Sequence, residues 1–161
     1  FRVSLNLFEQ ICAMLNERGI VFRTVHHEPT FTSEESAKAR GEDVKIGGKA
    51  ILMKVDDSFK LFVLSAILKI DSKKIKEQFK AKSIRFATKE ELFELTGLVP
   101  GSVPPFGNSL FPFELFVDTS IQENEKIAFN AASLTDSIVM HTSDYLSFSN
   151  AIIFPFSQTE R

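Results

Sequence analysis

Residues 96–108 place the strongest constraint on how this chain can fold, because they hold three of its seven glycines and three of its six prolines. Proline removes a backbone donor and fixes φ, and glycine permits φ > 0, so this stretch cannot form a helix interior or a central strand. It also carries apolar side chains at Leu98, Val99, Val103 and Phe106. We therefore expect a rigid loop, pinned by burial, whose backbone N–H groups can bind an anion or a polarised carbonyl. The alternative is a purely structural crossover between two elements.

The composition is that of one globular domain spanning residues 1–161, long enough to bury a proper core. With 17 Phe and no Trp, phenylalanine must supply most of the large packing side chains. The net charge of −2 argues against binding nucleic acid through a basic face, but it allows a small pocket for one RNA end. The single cysteine, Cys12, cannot form an internal disulfide, which fits a cytoplasmic protein. No apolar run reaches ~18 residues, so we expect no membrane span.

Hydrophobic periodicity and capping residues predict a mixed order of helices and strands. Helices are expected over 5–18, from a capping box at Thr32 to about Arg40, from Asp71 to about Ala81, and from a second capping box at Thr88 to Gly97. A short helix is expected over 144–148, and a helical turn or loop over 119–124. Strands are expected over 20–26, 49–55, 59–67, 84–87, 113–118, 126–131, 137–141 and 151–154. Strand 59–67 is apolar on both faces and should be central. The fold class is therefore α/β (mixed α+β), with a strongly twisted mixed sheet or barrel of six to eight strands and flanking helices.

Lys49 is the one charged residue of these strands whose position indicates a site. It leads an otherwise apolar row on strand 49–55, directly after a Gly-Gly pair, whereas Lys54 faces the other way and should be a surface charge. A lysine at this position either directs its charge into the mouth of a pocket or extends into solvent.

Four segments, in order along the chain, resemble the YbaK type of the bacterial prolyl-tRNA synthetase editing-domain superfamily. They are His27-Glu28-Pro29-Thr30-Phe31-Thr32, Gly47-Gly48-Lys49-Ala50-Ile51-Leu52-Met53-Lys54, the loop at 97–108, and Phe129-Asn130-Ala131-Ala132-Ser133 followed by Ser137-Ile138. The resemblance implies a mixed β-barrel with helices packed outside it. It also implies a trans-acting aminoacyl-tRNA deacylase, which hydrolyses a mischarged Ala, Ser, Thr or Cys from tRNA, with tRNA-Pro as the expected tRNA.

The resemblance also implies roles for individual residues. Lys49 would contact the terminal phosphate or the ester, and backbone N–H groups around Gly101, Ser102 and Val103 would bind the carbonyl oxygen or the oxyanion that develops from it. Asn130, with Ser133 or Thr135, would orient the 3′ ribose or the amino group. The remaining candidates for the substrate pocket are His27, Thr32, Pro100, Phe106 and Gly107. For His27, a structural hydrogen bond to a backbone carbonyl is the alternative.

Several editing members carry a His-containing segment where this chain has Asn130, and Asn cannot act as a base near pH 7. The amino acid that is removed therefore cannot be copied from those members. No metal is expected, because the three His and one Cys lack the spacing of a ligand set. No cofactor is expected either. The expected partners are the tRNA 3′ acceptor end and a synthetase, with the protein itself a monomer. Two alternatives stay open, namely a non-catalytic module that binds a tRNA 3′ end or a nucleotide, and a hydrolase for another small acyl ester.

Overall fold

The computed structural model describes residues 6–158, which form six helices and eight strands. The helices are α1 Leu7–Glu17, α2 Ser33–Arg40, α3 Ser72–Phe79, α4 Lys89–Thr96, α5 Thr119–Gln122 and α6 Thr142–Ser149, and Val44–Ile46 adds one 3-10 turn. The strands are β1 Phe22–His26, β2 Gly48–Val55, β3 Ser58–Ser65, β4 Ile84–Phe86, β5 Glu114–Val117, β6 Lys126–Asn130, β7 Asp136–His141 and β8 Ile152–Ile153. Among the described residues, no helix is both long enough and apolar enough to cross a bilayer.

The two predicted capping boxes differ in the structure. At α4 the box is complete, since the Thr88 hydroxyl accepts from the Glu91 N–H and the Glu91 carboxylate accepts from the Thr88 N–H. At α2 the Thr32 hydroxyl accepts from the Glu35 N–H as predicted, but the Glu35 carboxylate accepts instead from the N–H of Phe31. The predicted N-cap of α2 is thus confirmed. The predicted bond from the Thr32 N–H to the Glu35 carboxylate is wrong, because that carboxylate binds the N–H of Phe31, one residue earlier.

The strands divide into two sheets. β1, β7 and β6 form a three-stranded antiparallel sheet in that order. The five-stranded sheet has the order β4-β2-β3-β5-β8, antiparallel from β4 to β3 and parallel from β3 to β8. β3 lies in the middle of the larger sheet, as its two apolar faces predict. The predicted fold class of a mixed α/β protein with six to eight strands and flanking helices is confirmed.

The larger sheet buries both of its faces, which explains the apolar run in β3. Leu61 and Val63 pack toward the smaller sheet, α1 and α6, whereas Phe62 and Leu64 pack beneath α3. Phenylalanines dominate the side beneath α3, where Phe62 stacks on Phe116 with ring centroids 5.4 Å apart. The alternation of β3 residues between two cores is the period of two that strand geometry imposes.

The two sheets meet where β2 begins. Gly47 forms a parallel bridge to Ala128 of β6, and a Cβ on Gly48 would lie 2.7 Å from a methyl carbon of Ile127. The glycine pair therefore serves close approach between the sheets rather than unusual backbone angles. Because the sheets touch here, side chains at the start of β2 and at the end of β6 are brought to one place.

The glycine- and proline-rich loop is held against this junction. Val103 and Phe106 are buried in the main core, but Val99 is 45% exposed, so its predicted burial is wrong. The buried hydroxyl of Tyr145 donates to the Pro105 carbonyl at 2.6 Å, and burial raises the pKa of that phenol. A buried hydrogen bond and two apolar anchors thus fix the loop as one rigid piece.

Candidate active site

A cavity of about 280 Å³ opens at the junction of the two sheets. Its walls are the N-terminal end of α2, the start of β2, the end of β6 and the loop around Gly101. Lys49 and Gly101, which are far apart in the sequence, both line it. The structure therefore brings the strand lysine and the rigid loop to a common pocket, together with four more predicted residues: Thr32, Pro100, Val103 and Asn130.

Lys49 is a half-buried amine with no hydrogen bond or ion pair to any residue from 6 to 158. Burial is the largest cause that lowers its pKa from 10.5, and the charge of Lys69 lowers it further, while Glu34 opposes both. A cation that burial makes costly and that forms no ion pair with a described carboxylate is well suited to bind a negative group or a polarised oxygen of a ligand.

The lowered pKa of Lys49 leads to a testable pH dependence. If the ammonium form binds the substrate, enzyme-dependent turnover should fall as pH rises through this pKa, at a pH below the ordinary lysine value of 10.5. The measurement is kcat/KM against pH, with uncatalysed ester hydrolysis subtracted. Arginine keeps its charge at high pH, so Lys49→Arg should move this alkaline limb upward, and an unmoved limb would assign it to another group.

Two residues of the loop that line the cavity have backbone N–H groups without a partner among residues 6–158. Neither the Gly101 N–H nor the Val103 N–H bonds to another described residue, whereas the Ser102 N–H donates to the Val99 carbonyl at 3.1 Å. Gly101 has φ +90°, a conformation that favours glycine and turns the chain sharply at this point. Of the three predicted loop amides, those of Gly101 and Val103 are available to a ligand.

Asn130 ties the loop to the smaller sheet. Its side-chain Nδ2 donates to the Gly101 carbonyl at 2.8 Å, and its Oδ1 accepts from Nη2 of Arg40 at 3.1 Å. The Ser137 hydroxyl lies 3.1 Å from the same Oδ1. The amide is therefore engaged within the protein, where it fixes the loop opposite Lys49, and its predicted contact with the ribose or the amino group stays a prediction.

Arg40 is the residue of this site that sequence reasoning missed. It lines the cavity, only 8% of its surface is exposed, and its Nε donates to the Ser137 hydroxyl at 2.9 Å. Burial lowers its pKa to about 10, and it forms no ion pair with a described carboxylate. An arginine at the last position of a predicted helix ordinarily lies at the surface, where its charge interacts favourably with the helix dipole, so no local pattern indicates that Arg40 is buried.

His27 lies behind this network. Its Nδ1 is 2.9 Å from the Glu28 carbonyl, which can only accept, so Nδ1 carries a proton. The Nε2 atom lies 2.9 Å from the Ser137 hydroxyl oxygen. Neither His27 nor Ser137 lines the cavity. His27 makes the structural hydrogen bond to a backbone carbonyl that is its predicted alternative, and its predicted contact with substrate stays a prediction.

The other predicted site residues lie away from the cavity surface. The Ser102 hydroxyl donates to the Val99 carbonyl at 2.8 Å, and Phe106 is fully buried. A Cβ on Gly107 would lie 2.7 Å from a backbone oxygen, so this glycine permits close packing. Ser133 and Thr135 both donate to the Asp136 carboxylate, at 3.0 and 3.1 Å. The structure thus gives each of these five a packing or hydrogen-bonding role, and their predicted roles toward substrate stay predictions.

The part of the cavity wall that the structure describes carries positive charge and has no carboxylate or imidazole that could act as a general base. Among the described residues that line it there are two cations, Arg40 and Lys49, and no Asp, Glu, His or Cys. Across residues 6–158 no three such side chains cluster closely enough to hold a metal ion. A wall of this kind can bind and polarise an ester, but the nucleophile must come from water or from the ligand itself.

Comparison with known proteins identifies a family and several relatives. The model of the aminoacyl-tRNA editing domain family matches residues 27–148. Over 157 residues the chain is 31% identical to the multifunctional Ser/Thr-tRNA deacylase ProXp-y of Escherichia coli, and the match covers 94% of this chain and 93% of that protein. It is also 34% identical over 100 residues to the proline–tRNA ligase of Shouchella clausii, which is 62% of this chain and 17% of the ligase.

A solved structure described as a candidate trans-editing enzyme for prolyl tRNA synthetase superposes with a TM-score of 0.83. The superposition covers 97% of this chain and all of that one, at 24% sequence identity. At this identity the likeness establishes the fold. It agrees with the two sheets and the flanking helices described above.

Proposed function

Since this chain belongs to the aminoacyl-tRNA editing domain family, we propose that it is a trans-acting aminoacyl-tRNA deacylase, which hydrolyses the ester between a wrongly attached amino acid and the tRNA 3′ end. The observation that carries the proposal is that Lys49, Gly101 and Val103 line one cavity, and that the N–H groups of the two loop residues have no partner among the described residues. Two amides can hold the ester carbonyl and stabilise the oxyanion that forms on it. Trans action is supported by the match over nearly the whole length of ProXp-y.

The cavity wall also agrees with the demands of this reaction. An aminoacyl ester is already activated, so the protein has to hold it, stabilise the developing negative charge and admit a nucleophile. Lys49 contacts the ester or the phosphate of the terminal adenosine. The nucleophile is water or a hydroxyl of the substrate, because the described lining offers no carboxylate or imidazole to act as base.

The proposed amino acids are serine and threonine, and the proposed tRNA is tRNA-Pro. Serine and threonine are supported by ProXp-y, a Ser/Thr-tRNA deacylase by its name, which the chain matches over 93% of that protein's length. tRNA-Pro is supported by the related segment in proline–tRNA ligases. The same ligases make a synthetase the proposed protein partner. We place the protein in the cytoplasm, where its substrate is made, as a monomer whose cavity is built from one chain.

The test is a deacylation screen with purified protein and tRNA-Pro charged with Ser, Thr, Ala or Cys, alongside tRNA-Ser and tRNA-Thr carrying their own amino acids. We expect rapid release of serine and threonine from tRNA-Pro. Tight retention of charged tRNA without release of any amino acid would favour the alternative of a non-catalytic module that binds the 3′ end. Turnover of other small acyl esters, with every charged tRNA intact, would favour a different esterase.

Phe31 should bind the terminal base of the tRNA. This aromatic ring lines the cavity, and 77% of it is exposed, so it can stack on a base at the mouth. Stacking of a base on an aromatic side chain contributes about 1–3 kcal/mol, so Phe31→Ala should raise KM for charged tRNA roughly 5- to 150-fold. We expect kcat and the thermal midpoint to change little.

Phe93 provides the matched control for Phe31, because 59% of its ring is exposed and it does not line the cavity. Phe93→Ala should leave KM unchanged. Equal KM values for wild type and Phe31→Ala would exclude stacking at this position.

A further inference from the structure

Arg40 carries a donor that no described residue uses. Its Nε and Nη2 donate to Ser137 and Asn130, but Nη1 bonds to no residue from 6 to 158. Nη1 is also accessible from outside the protein core. Among the described residues, Thr142 Oγ1 is the only side-chain polar atom that is buried and lacks a hydrogen bond, so the unbonded Nη1 cannot be buried. It lies beside Gly47, another residue of the cavity wall, where a Cβ would be 3.6 Å from it. The guanidinium therefore reaches the cavity through Nη1.

The depth of Arg40 decides which part of the substrate it can meet. A phosphodiester is flanked by a ribose on each side and must stay near the mouth, so it suits the half-buried Lys49 better than the more deeply buried Arg40. The aminoacyl group is the terminus of the substrate, so it alone can reach a side chain that is 92% buried, as 8% exposure implies. A guanidinium repels the α-ammonium group and donates to oxygen. Within the aminoacyl group, the acceptors that remain are the ester oxygens and a side-chain hydroxyl.

Resting on the proposed function, we infer that Nη1 of Arg40 recognises the side-chain hydroxyl of the serine or threonine to be removed. In the proposed function the unpartnered N–H groups of Gly101 and Val103 bind the ester carbonyl oxygen. The side-chain oxygen of the amino acid is then the acceptor that remains for Arg40. The bonds to Ser137 and Asn130 hold the guanidinium plane still, so its free donor is fixed before the substrate arrives. Arg40 is thus a specificity-determining residue, because the hydroxyl oxygen that it binds is absent from alanine.

The expected selectivity follows from the charge of the donor. A hydrogen bond to a charged group discriminates between a ligand that has the hydroxyl and one that lacks it by about 10- to 100-fold. A site built to bond a substrate hydroxyl in this way excludes the analogue without it more strongly than an apolar pocket can exclude an extra methylene. The seryl and alanyl groups differ only in this oxygen, so they form the decisive pair.

The test measures binding, so it does not depend on turnover. The probes are 3′-amino-3′-deoxyadenosines that carry serine or alanine in a non-hydrolysable amide, titrated by calorimetry into the full chain. Wild type should bind the seryl probe about 10- to 100-fold more tightly than the alanyl probe. In Arg40→Met this ratio should fall to near one with affinity for the alanyl probe retained. Arg23→Met is the control, because Arg23 donates to the Arg40 carbonyl but does not line the cavity.

A second variant keeps the guanidinium and blocks its free donor, in case Arg40→Met does not fold. Gly47→Ala places a methyl group 3.6 Å from Nη1, and Ala66→Gly in the same chain removes the 3.0 Å contact that this methyl would make with the Ala66 Cβ. The methyl also lies 3.2 Å from the Val44 carbonyl oxygen, so the backbone must shift by a few tenths of an ångström to admit it. The seryl preference should be lost in this double variant as well. Equal affinity of wild type for the two probes would overturn the inference, as would loss of affinity for both probes by one factor in the variants. Failure of the proposed function would appear separately, as absence of turnover on every charged tRNA.

Discussion

Lys49→Ala should lower kcat/KM for the mischarged tRNA at least ~100-fold, which is the scale for loss of one donor to a developing oxyanion, about 2.7–4 kcal/mol. The amine is half-buried in the cavity and has no described partner, so a bound ester or phosphate is the group it can stabilise. Single-turnover deacylation of purified seryl-tRNA-Pro measures the effect. A rate near that of wild type would remove Lys49 from the mechanism.

Lys54→Ala is the matched control on the same strand. Lys54 lies on the opposite face of β2, where its Nζ is 5.8 Å from the centre of the Phe59 ring, and it does not line the cavity. Its removal deletes the same charge from the same strand, so the two variants have the same net charge. We expect Lys54→Ala to deacylate at the wild-type rate, which would assign the loss in Lys49→Ala to the cavity.

The loss of activity in Lys49→Ala should not come from unfolding. A lysine whose pKa is lower in the folded state than in the unfolded chain weakens the fold at every pH where it is protonated, and this penalty fades as pH rises through the lowered pKa. Removing the side chain removes the penalty. We therefore expect a thermal midpoint at neutral pH equal to that of wild type or higher, as for a residue retained for function at some expense of stability.

Phe106→Ala, unlike Lys49→Ala, should mainly reduce stability, with a loss of about 3–5 kcal/mol in the free energy of unfolding. Phe106 is fully buried, and its ring meets Phe129, Tyr145 and Phe148 edge-on at centroid distances of 5.4 to 5.7 Å. Truncation leaves a cavity among these three rings and frees the loop that carries Gly101. Because domains of this size have about 5–15 kcal/mol in total, denaturant unfolding should show a large shift of the midpoint.

Phe106→Leu distinguishes a packing role from a role in the wall of the substrate pocket. Leucine keeps most of the buried volume, so stability should largely recover, and deacylation should recover with it if Phe106 acts only by holding the loop. Recovered stability with a changed choice between seryl and alanyl tRNA would instead place the side chain against the substrate.

The sequence predicted the elements well where local chemistry decides them. The Thr88 capping box, the Asp71 N-cap and the two-sided apolar run of β3 each depend on residues only a few positions apart, and all three are confirmed. The glycine- and proline-rich loop was predicted to be rigid for the same reason. The predicted burial of Val99 is wrong, because the burial of one loop residue depends on what the rest of the chain packs against it.

The residues of the site could be predicted only where the family resemblance implied a role for them. Lys49, Gly101 and Asn130 were selected from the sequence, and the structure places all three on one cavity. Arg40 could not be selected, because its bonds to Ser137 and Asn130 cross 97 and 90 positions of the chain. Nothing near Arg40 in the sequence distinguishes a buried guanidinium from the solvated charge that usually ends a helix.

By itself the sequence determined which stretches form helices and strands, which strand is central and which loop is stiff, because hydrogen-bonding caps, side-chain alternation and the φ limits of proline act over a few residues. It placed several element starts only to within two residues, since α6 begins at Thr142 rather than 144 and β1 at Phe22 rather than 20. Only the tertiary structure decided that a lysine, two free amides and an arginine without a counter-charge share one cavity. The reason is that burial, and with it the pKa of Lys49 and of Arg40, depends on the approach of two sheets at Gly48, which no local pattern encodes.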